Sequence, residues 1–271
     1  MNAVKIMRRV SFVILIAVFA ASLLAGKLVP YSYATQFREV PNSLPSAKHL
    51  LGTDPLGRDF FARLLYGTRI SLLLAPAAAL LSTMIAGVFG AFAGLYGGWP
   101  QRIVLAAADL SMALPLLFVL LALRALLPLD ISPALSITCT FLLLGLLGWS
   151  SSLRVVWASA RSLRKSDFLL MARATGCSPL RTIFTHVLPN LRPVLFAQFW
   201  ISIPVFILAE ATLSMLGLGV MEPLPSWGNL LRGLEDFPAV SANPWKLAPL
   251  FMVCLVVICF QMILPAQEEV S

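Results

Sequence analysis

Charge is what this sequence has least of. Asp, Glu, Lys and Arg make up 12% of its 271 residues, against about 25% in a soluble domain. So few charges cannot clothe a globular surface in water. Histidine is nearly absent, and the two present, His49 and His186, are too far apart to read as a metal site. The four cysteines form no Cys-x-x-Cys pair. Cys139, Cys254 and Cys259 sit in apolar runs as packing residues, and Cys177 lies in a basic stretch. No Gly-x-x-x-x-Gly-Lys-Ser/Thr phosphate loop occurs, nor any Ser/His/Asp set that reads as a nucleophile with its base. These gaps exclude a nucleotide hydrolase and leave no catalytic constellation. The surplus of 20 Lys and Arg over 12 Asp and Glu invites a nucleic-acid reading. The basic residues, however, cluster at the ends of apolar runs and form no separate polar domain, which points to lipid instead.

What is present is hydrophobicity: 59% apolar residues and a mean hydropathy of +0.89. The pattern predicts an all-α integral membrane protein with about six spans, near residues 10–29, 70–95, 103–127, 134–157, 191–216 and 245–264. Lys5, Arg8 and Arg9 precede the first run, as they would in a secretory signal. Leu23-Leu24-Ala25-Gly26 even resembles a lipoprotein cleavage box, but Lys27 stands where cysteine is required, and an uncleaved span is expected. Asp54-Pro55 with Gly52 and Gly57 predicts a turn. From Asp59 to Arg69 the amphipathic spacing predicts a helix lying along the membrane surface. Gly87, Gly90 and Gly94 strip one face of the second span of bulk, so a neighbouring helix can approach closely. In the third span Pro115 predicts a kink, and Asp109 is expected to pair with Arg102. Glu210, in the fifth span, has two open roles. It either lines a translocation path, with Ser214 one turn on, or holds an adjacent helix by hydrogen bonds. Trp227, within Pro223-Leu224-Pro225-Ser226-Trp227-Gly228, is expected to anchor an outside loop at the interface.

The longest polar interruption is Ser162 to Asn190. It predicts a short helix near residues 166–174 and a left-handed turn at Gly176. Ser178 then serves as N-cap, Pro179 opens a second helix, and Leu180, Ile183, Phe184 and Val187 recur at helical spacing. Arg154, Arg161, Arg164, Lys165, Arg173, Arg181 and Arg192 outnumber the single acid Asp167 here. That excess places the loop in the cytoplasm, with both termini on the same side. Arg58, Arg63 and Arg69, which fall on the opposite side, run against the charge rule.

Ala172-Arg173-Ala174-Thr175-Gly176, nine residues, then His186-Val187-Leu188-Pro189-Asn190 resembles the signature loop of permease subunits in bacterial ABC importers. The resemblance is strongest to the C-type subunit of the peptide/nickel class. It extends to Leu51-Gly52-Thr53-Asp54-Pro55-Leu56-Gly57-Arg58-Asp59, to Leu208-Ala209-Glu210 with Leu216-Gly217-Leu218-Gly219, and to Pro223 through Gly228. Leu170 stands where the family usually has glutamate, and the chain stops at Ser271 without the family's Gly-Asp and Arg-Asp tail. The resemblance implies an ABC importer type I permease fold in the bacterial inner membrane. It implies a first span with an external segment over 1–69, a transmembrane core over 70–266 with the coupling loop at about 162–190, and a short tail at 267–271. It also implies a second permease subunit, two ATPase subunits that hold ATP and Mg, an extracytoplasmic substrate-binding protein, and no cofactor on this chain. In that family the loop contacts the ATPase, which assigns the contact here to Met171, Ala172, Ala174, Gly176, Leu180, Ile183, Phe184 and His186. The class handles di- and oligopeptides, nickel complexes and some antimicrobial peptides, with peptide the commonest cargo. An ion-coupled secondary transporter is the reading of another class. It needs internal repeats and matched intramembrane charges, and only Asp109 and Glu210 are at hand.

Overall fold

The computed structural model describes residues 3–126, 132–235, 240–241 and 243–263, and among them the chain is built of helices, with isolated bridges in place of strands. Among the described residues five helices are long and apolar enough to cross a membrane: Val4–Leu23, Phe60–Tyr96, Pro133–Leu163, Arg192–Met215 and Pro244–Ile263. A bent pair, Gly98–Ala113 and Leu116–Ala125, makes a sixth when counted as one span. The expected turn at 128–133, all but its last two residues, and the tail at 267–271 lie outside the described residues.

The chain packs as two compact units. The first comprises Met1–Ala75, Leu123–Phe141 and Pro204–Ser271. Here α1 (Ala3–Leu23) packs against the last described helix, which runs over Ala248–Ile263. Asp59 caps α2 (Phe60–Tyr96), its Oδ1 accepting from the Ala62 amide at 2.7 Å. Its Oδ2 meets His49 Nδ1 at 2.8 Å, and the rings of Tyr31 and Phe37 flank that imidazole at 5.2 and 5.1 Å. Asp54 forms the predicted turn, its Oδ1 accepting from the amides of Leu56 and Arg58 at 2.9 and 2.8 Å.

The surface-lying helix expected at 59–69 is instead the opening of α2, which continues for 37 residues through the second span. Arg63, on the polar side of that expected surface helix, is only 2% exposed. Its charge is met by protein carboxylates, and a helical charge with a buried partner gives the same spacing as one facing solvent. Trp227 is also corrected. It is fully buried, its Nε1 donating to Thr68 Oγ1 at 2.9 Å, so it wedges against α2 and anchors nothing at the lipid interface.

The second unit comprises Pro76–Ala122 and Leu142–Ile203. Gly90 and Gly94 of α2 make the predicted close contact, with the helix Trp149–Leu163. A Cβ on Gly94 would lie 2.7 Å from Ala160 Cβ and 2.9 Å from the Arg161 amide nitrogen. Two left-handed glycines, Gly97 at φ +63° and Gly98 at φ +64°, turn the chain into α3 (Gly98–Ala113). The third span then bends by 80° before α4 (Leu116–Ala125). Pro115 forces Leu114 out of the helical region, to φ −90° and ψ 123°, so the kink becomes a break. Asp109 pairs with Arg154, not with Arg102. Seven residues separate 102 from 109, about 10 Å along a helix axis, whereas Arg154 faces Asp109 from a packed neighbour.

Candidate functional site

The Pro133–Leu163 span consists of α5 (Pro133–Leu147) and α6 (Trp149–Leu163), and the basic loop follows it as predicted. Helix α7 (Asp167–Ala174) ends at Thr175, whose Oγ1 turns back to the carbonyls of Met171 and Ala172 at 3.1 and 3.0 Å. Gly176 adopts φ +73°, a conformation that costs a residue with a Cβ about 1–2 kcal/mol. Ser178 caps the next helix, its Oγ accepting from the Arg181 amide at 3.4 Å, and Pro179 opens it. Helix α8 (Pro179–Arg181) then widens into a π-helix over Thr182–Val187, where the Leu188 amide reaches back to the Ile183 carbonyl. Pro189 explains the widening. It has no amide hydrogen for the Thr185 carbonyl, and in a regular helix its ring would strike that carbonyl. Wide turns of this kind are frequent at functional sites.

Burial divides the loop into a root and a tip. Leu169, Ile183 and Val187 are 0–2% exposed and join Ala91, Leu95, Val156, Ala160 and Leu191 in one apolar core. Met171, Leu180 and Phe184 are 69%, 68% and 56% exposed. Ala174 and Gly176 are exposed too, and His186 is half-buried. Ala172 and Ile183 therefore face inward, away from the surface that the other expected contact residues form. Leu170, in the position usually glutamate in the resembled loop, is exposed and extends this apolar tip. The sequence marks Leu170 as a departure from the resembled loop, and its exposure shows that an apolar side chain replaces a polar one at the surface. Phe184 also forms part of an apolar groove of about 770 Å³ with Met84, Val88, Leu195 and Phe196, and Arg192 borders it.

In the first unit, Glu210 sits on α9 (Arg192–Met215) and is fully buried. Its Oε1 accepts from Ser214 Oγ at 2.6 Å and from Ser226 Oγ at 2.8 Å. Ser226 also caps α10 (Trp227–Arg232) in a capping box with Asn229. Gly228 presses close to Ala211 and Ser214 on α9, where a side chain would not fit. Glu210 and Ser214 thus lie together, and both belong to the hydrogen-bonded seat of α10.

The charged cluster at the mouth of α2 was not legible in the sequence. Arg58 Nε donates to Asp54 Oδ2 and its Nη1 to Glu222 Oε2, each at 2.6 Å. Arg63 Nη2 donates to Glu222 Oε1 at 2.7 Å, and its Nη1 to Oε2 at 3.1 Å. Burial alone would raise the Glu222 pKa, but hydrogen bonds and charge from Arg63 and then Arg58 outweigh it and hold the carboxyl below the ordinary glutamate range. Arg124 is a further buried cation that went unnoticed. It donates to the carbonyls of Leu218 and Gly219 at 2.8 and 3.2 Å and to Ser136 Oγ.

Residues 86–267 match the family described as the inner membrane component of binding-protein-dependent transport systems. The chain belongs to that family. It is accordingly a multi-pass component of the inner membrane, a permease subunit of the ABC type, and the matched segment contains the whole basic loop. An oligopeptide transport system permease protein of Bacillus subtilis is 31% identical over 258 residues, covering 94% of this chain and 81% of its own length. An oligopeptide transport system permease protein of Mycobacterium tuberculosis is 34% identical over 250 residues, or 92% of this chain and 84% of its own. A putative peptide permease protein of Brucella suis is 38% identical over 205 residues, or 76% of this chain and 66% of its own.

Proposed function

We propose that this chain is a non-catalytic permease subunit of an ATP-driven peptide importer, moved by a separate ATPase that grips the tip of the basic loop. The observation that carries this reading is the division of the loop into a buried root and an exposed apolar tip. Met171, Leu180 and Phe184 are exposed while Leu169, Ile183 and Val187 fix the element they sit on. Exposed apolar and aromatic side chains on a rigid support are the kind that dominate docking energy. The charge excess of the loop favours the cytoplasm, where the ATPase with its ATP and Mg would meet it. Both termini then face the cytoplasm as well.

The loop is tied to α9 without slack. It enters from α6 and leaves at Arg192, with Leu191 alone between the Leu188–Asn190 turn and α9. A pull on Phe184 and Leu180 would therefore tilt α6 and α9 as packed rods, and small rigid-body shifts of this kind suffice to exchange inward-open for outward-open packing. Peptide as cargo rests on the oligopeptide and peptide permeases that this chain resembles. A second permease subunit, two ATPase subunits and an extracytoplasmic binding protein complete the assembly.

The test is reconstitution of the assembly in vesicles. Peptide-loaded binding protein should raise ATP hydrolysis and bring peptide into the lumen. Stimulation by a nickel complex and not by peptide would remove the peptide reading.

A further inference from the structure

The first unit holds a cavity of about 390 Å³ beside the paired arginines, and Arg58, Arg63, Glu222, Arg232, Glu235 and Lys246 are among the residues that line it. Lys246 is its unusual member. Only 7% of the residue is exposed, and the one side-chain hydrogen bond it makes among the described residues runs from Nζ to Asn42 Oδ1 at 3.0 Å. An ammonium has three donors, and a buried charge is costly unless it is paired. Among the described residues no carboxylate lies within ion-pair distance of Lys246 or of Arg232, which borders the same space. The adjoining wall already shows what the site selects: Glu222 is a carboxylate held by two buried guanidinium groups.

We infer that this cavity is a carboxylate-binding subsite, with Lys246 and Arg232 taking the C-terminal carboxylate of a short peptide on its way into the permease. The inference rests on the peptide reading above and adds a place for the peptide's charged end. Position in the chain supports it. Helix α9 leaves the loop at Arg192 and runs 24 residues, long enough for one crossing. The segment carrying Glu222, Arg232 and Lys246 therefore lies one crossing away from the loop, on the side where substrate arrives. The lining also carries both signs of charge, which suits a zwitterion such as a free peptide.

The test compares uptake of trialanine and of its C-terminal amide by the reconstituted assembly, with wild-type permease and with Lys246→Met. The same binding protein serves all four measurements, so its own preference cancels in the ratio of ratios. A charge-assisted hydrogen bond of ordinary strength predicts that Lys246→Met lowers the acid-to-amide preference by about tenfold, and that Lys246→Arg retains most of it. Arg232→Gln, at an exposed residue, gives a second readout should Lys246→Met fail to assemble, with a smaller loss expected. An unchanged ratio in assembled variants overturns the subsite. So does an unchanged ratio accompanied by a higher requirement for binding protein, which would place an acidic side chain of that protein in the cavity instead. Wild-type uptake of trialanine tests the peptide reading by itself, so the two failures are distinguishable.

Discussion

Glu222 and Arg63 lie 159 positions apart in the chain and meet through two hydrogen bonds of 2.7 and 3.1 Å. The pair ties the segment after α9 to the first turns of α2, with Arg58 and Asp54 completing the cluster. Arg63 is deeply buried while the Glu222 side chain is 49% exposed, so water screens one partner and its share of the stabilisation is discounted accordingly.

The sign of its pH dependence follows from the depressed Glu222 pKa. A carboxyl whose folded pKa lies below its unfolded value stabilises the fold above the unfolded pKa and loses that contribution as pH falls through the folded one. Wild type should therefore melt above Glu222→Gln at pH 7, and the gap should shrink as the pH is lowered below the ordinary glutamate range. Melting curves of the purified protein across pH check this, and a gap constant with pH would contradict it.

Ile183 and Phe184 are neighbours with opposite fates. Ile183→Ala removes buried volume and should cost about 3 kcal/mol of stability. Phe184→Ala should leave the melting temperature within the scatter expected of a surface change yet weaken co-purification of the ATPase. Measuring both quantities on both variants separates root from tip.

Gly176 has nothing within 4 Å of where a Cβ would lie, so its only demand is the backbone at φ +73°. Gly176→Ala should lower uptake modestly, in line with about 1–2 kcal/mol of strain. Gly176→Pro cannot adopt that φ at all and should abolish uptake while membrane insertion, scored by fractionation, stays normal.

Gly94 is the reverse case. Its φ is unremarkable, but Gly94→Ala would press on Ala160 and on the Arg161 backbone, an overpacking expected to cost about 1–3 kcal/mol. Gly233→Ala, where a Cβ meets open space, serves as the control and should be near neutral. Thermal melting of the two variants reads the difference.

Local rules made much of this chain legible. The Gly176 turn, the Ser178 cap and the Pro179 start depend on their own residues and immediate neighbours, so they could be placed from sequence. The Gly90 and Gly94 face was equally plain, because small residues one turn apart mean close approach whichever helix supplies it. What could not be read was pairing at a distance. Asp109 had Arg102 nearby in sequence but met Arg154 from another helix, and Arg63 met Glu222 across more than half the chain. Trp227 sat in a proline-rich string that resembles an interfacial anchor, and only the position of Thr68 shows it to be core. The π-turn had a visible cause in Pro189, but its effect on which side chains reach the surface needed coordinates. Hence Ile183 falls with residues whose exposure it does not share, and Ala172, on α7, does so because its burial depends on packing that its own helix does not show.

The most direct test replaces Phe184 with a photoreactive phenylalanine analogue and illuminates intact membranes of cells that express the whole transporter. The account predicts a cross-link between position 184 and the ATPase subunit, lost when the ATPase gene is deleted. A cross-link to the extracytoplasmic binding protein, or to lipid alone with the ATPase present, would contradict it.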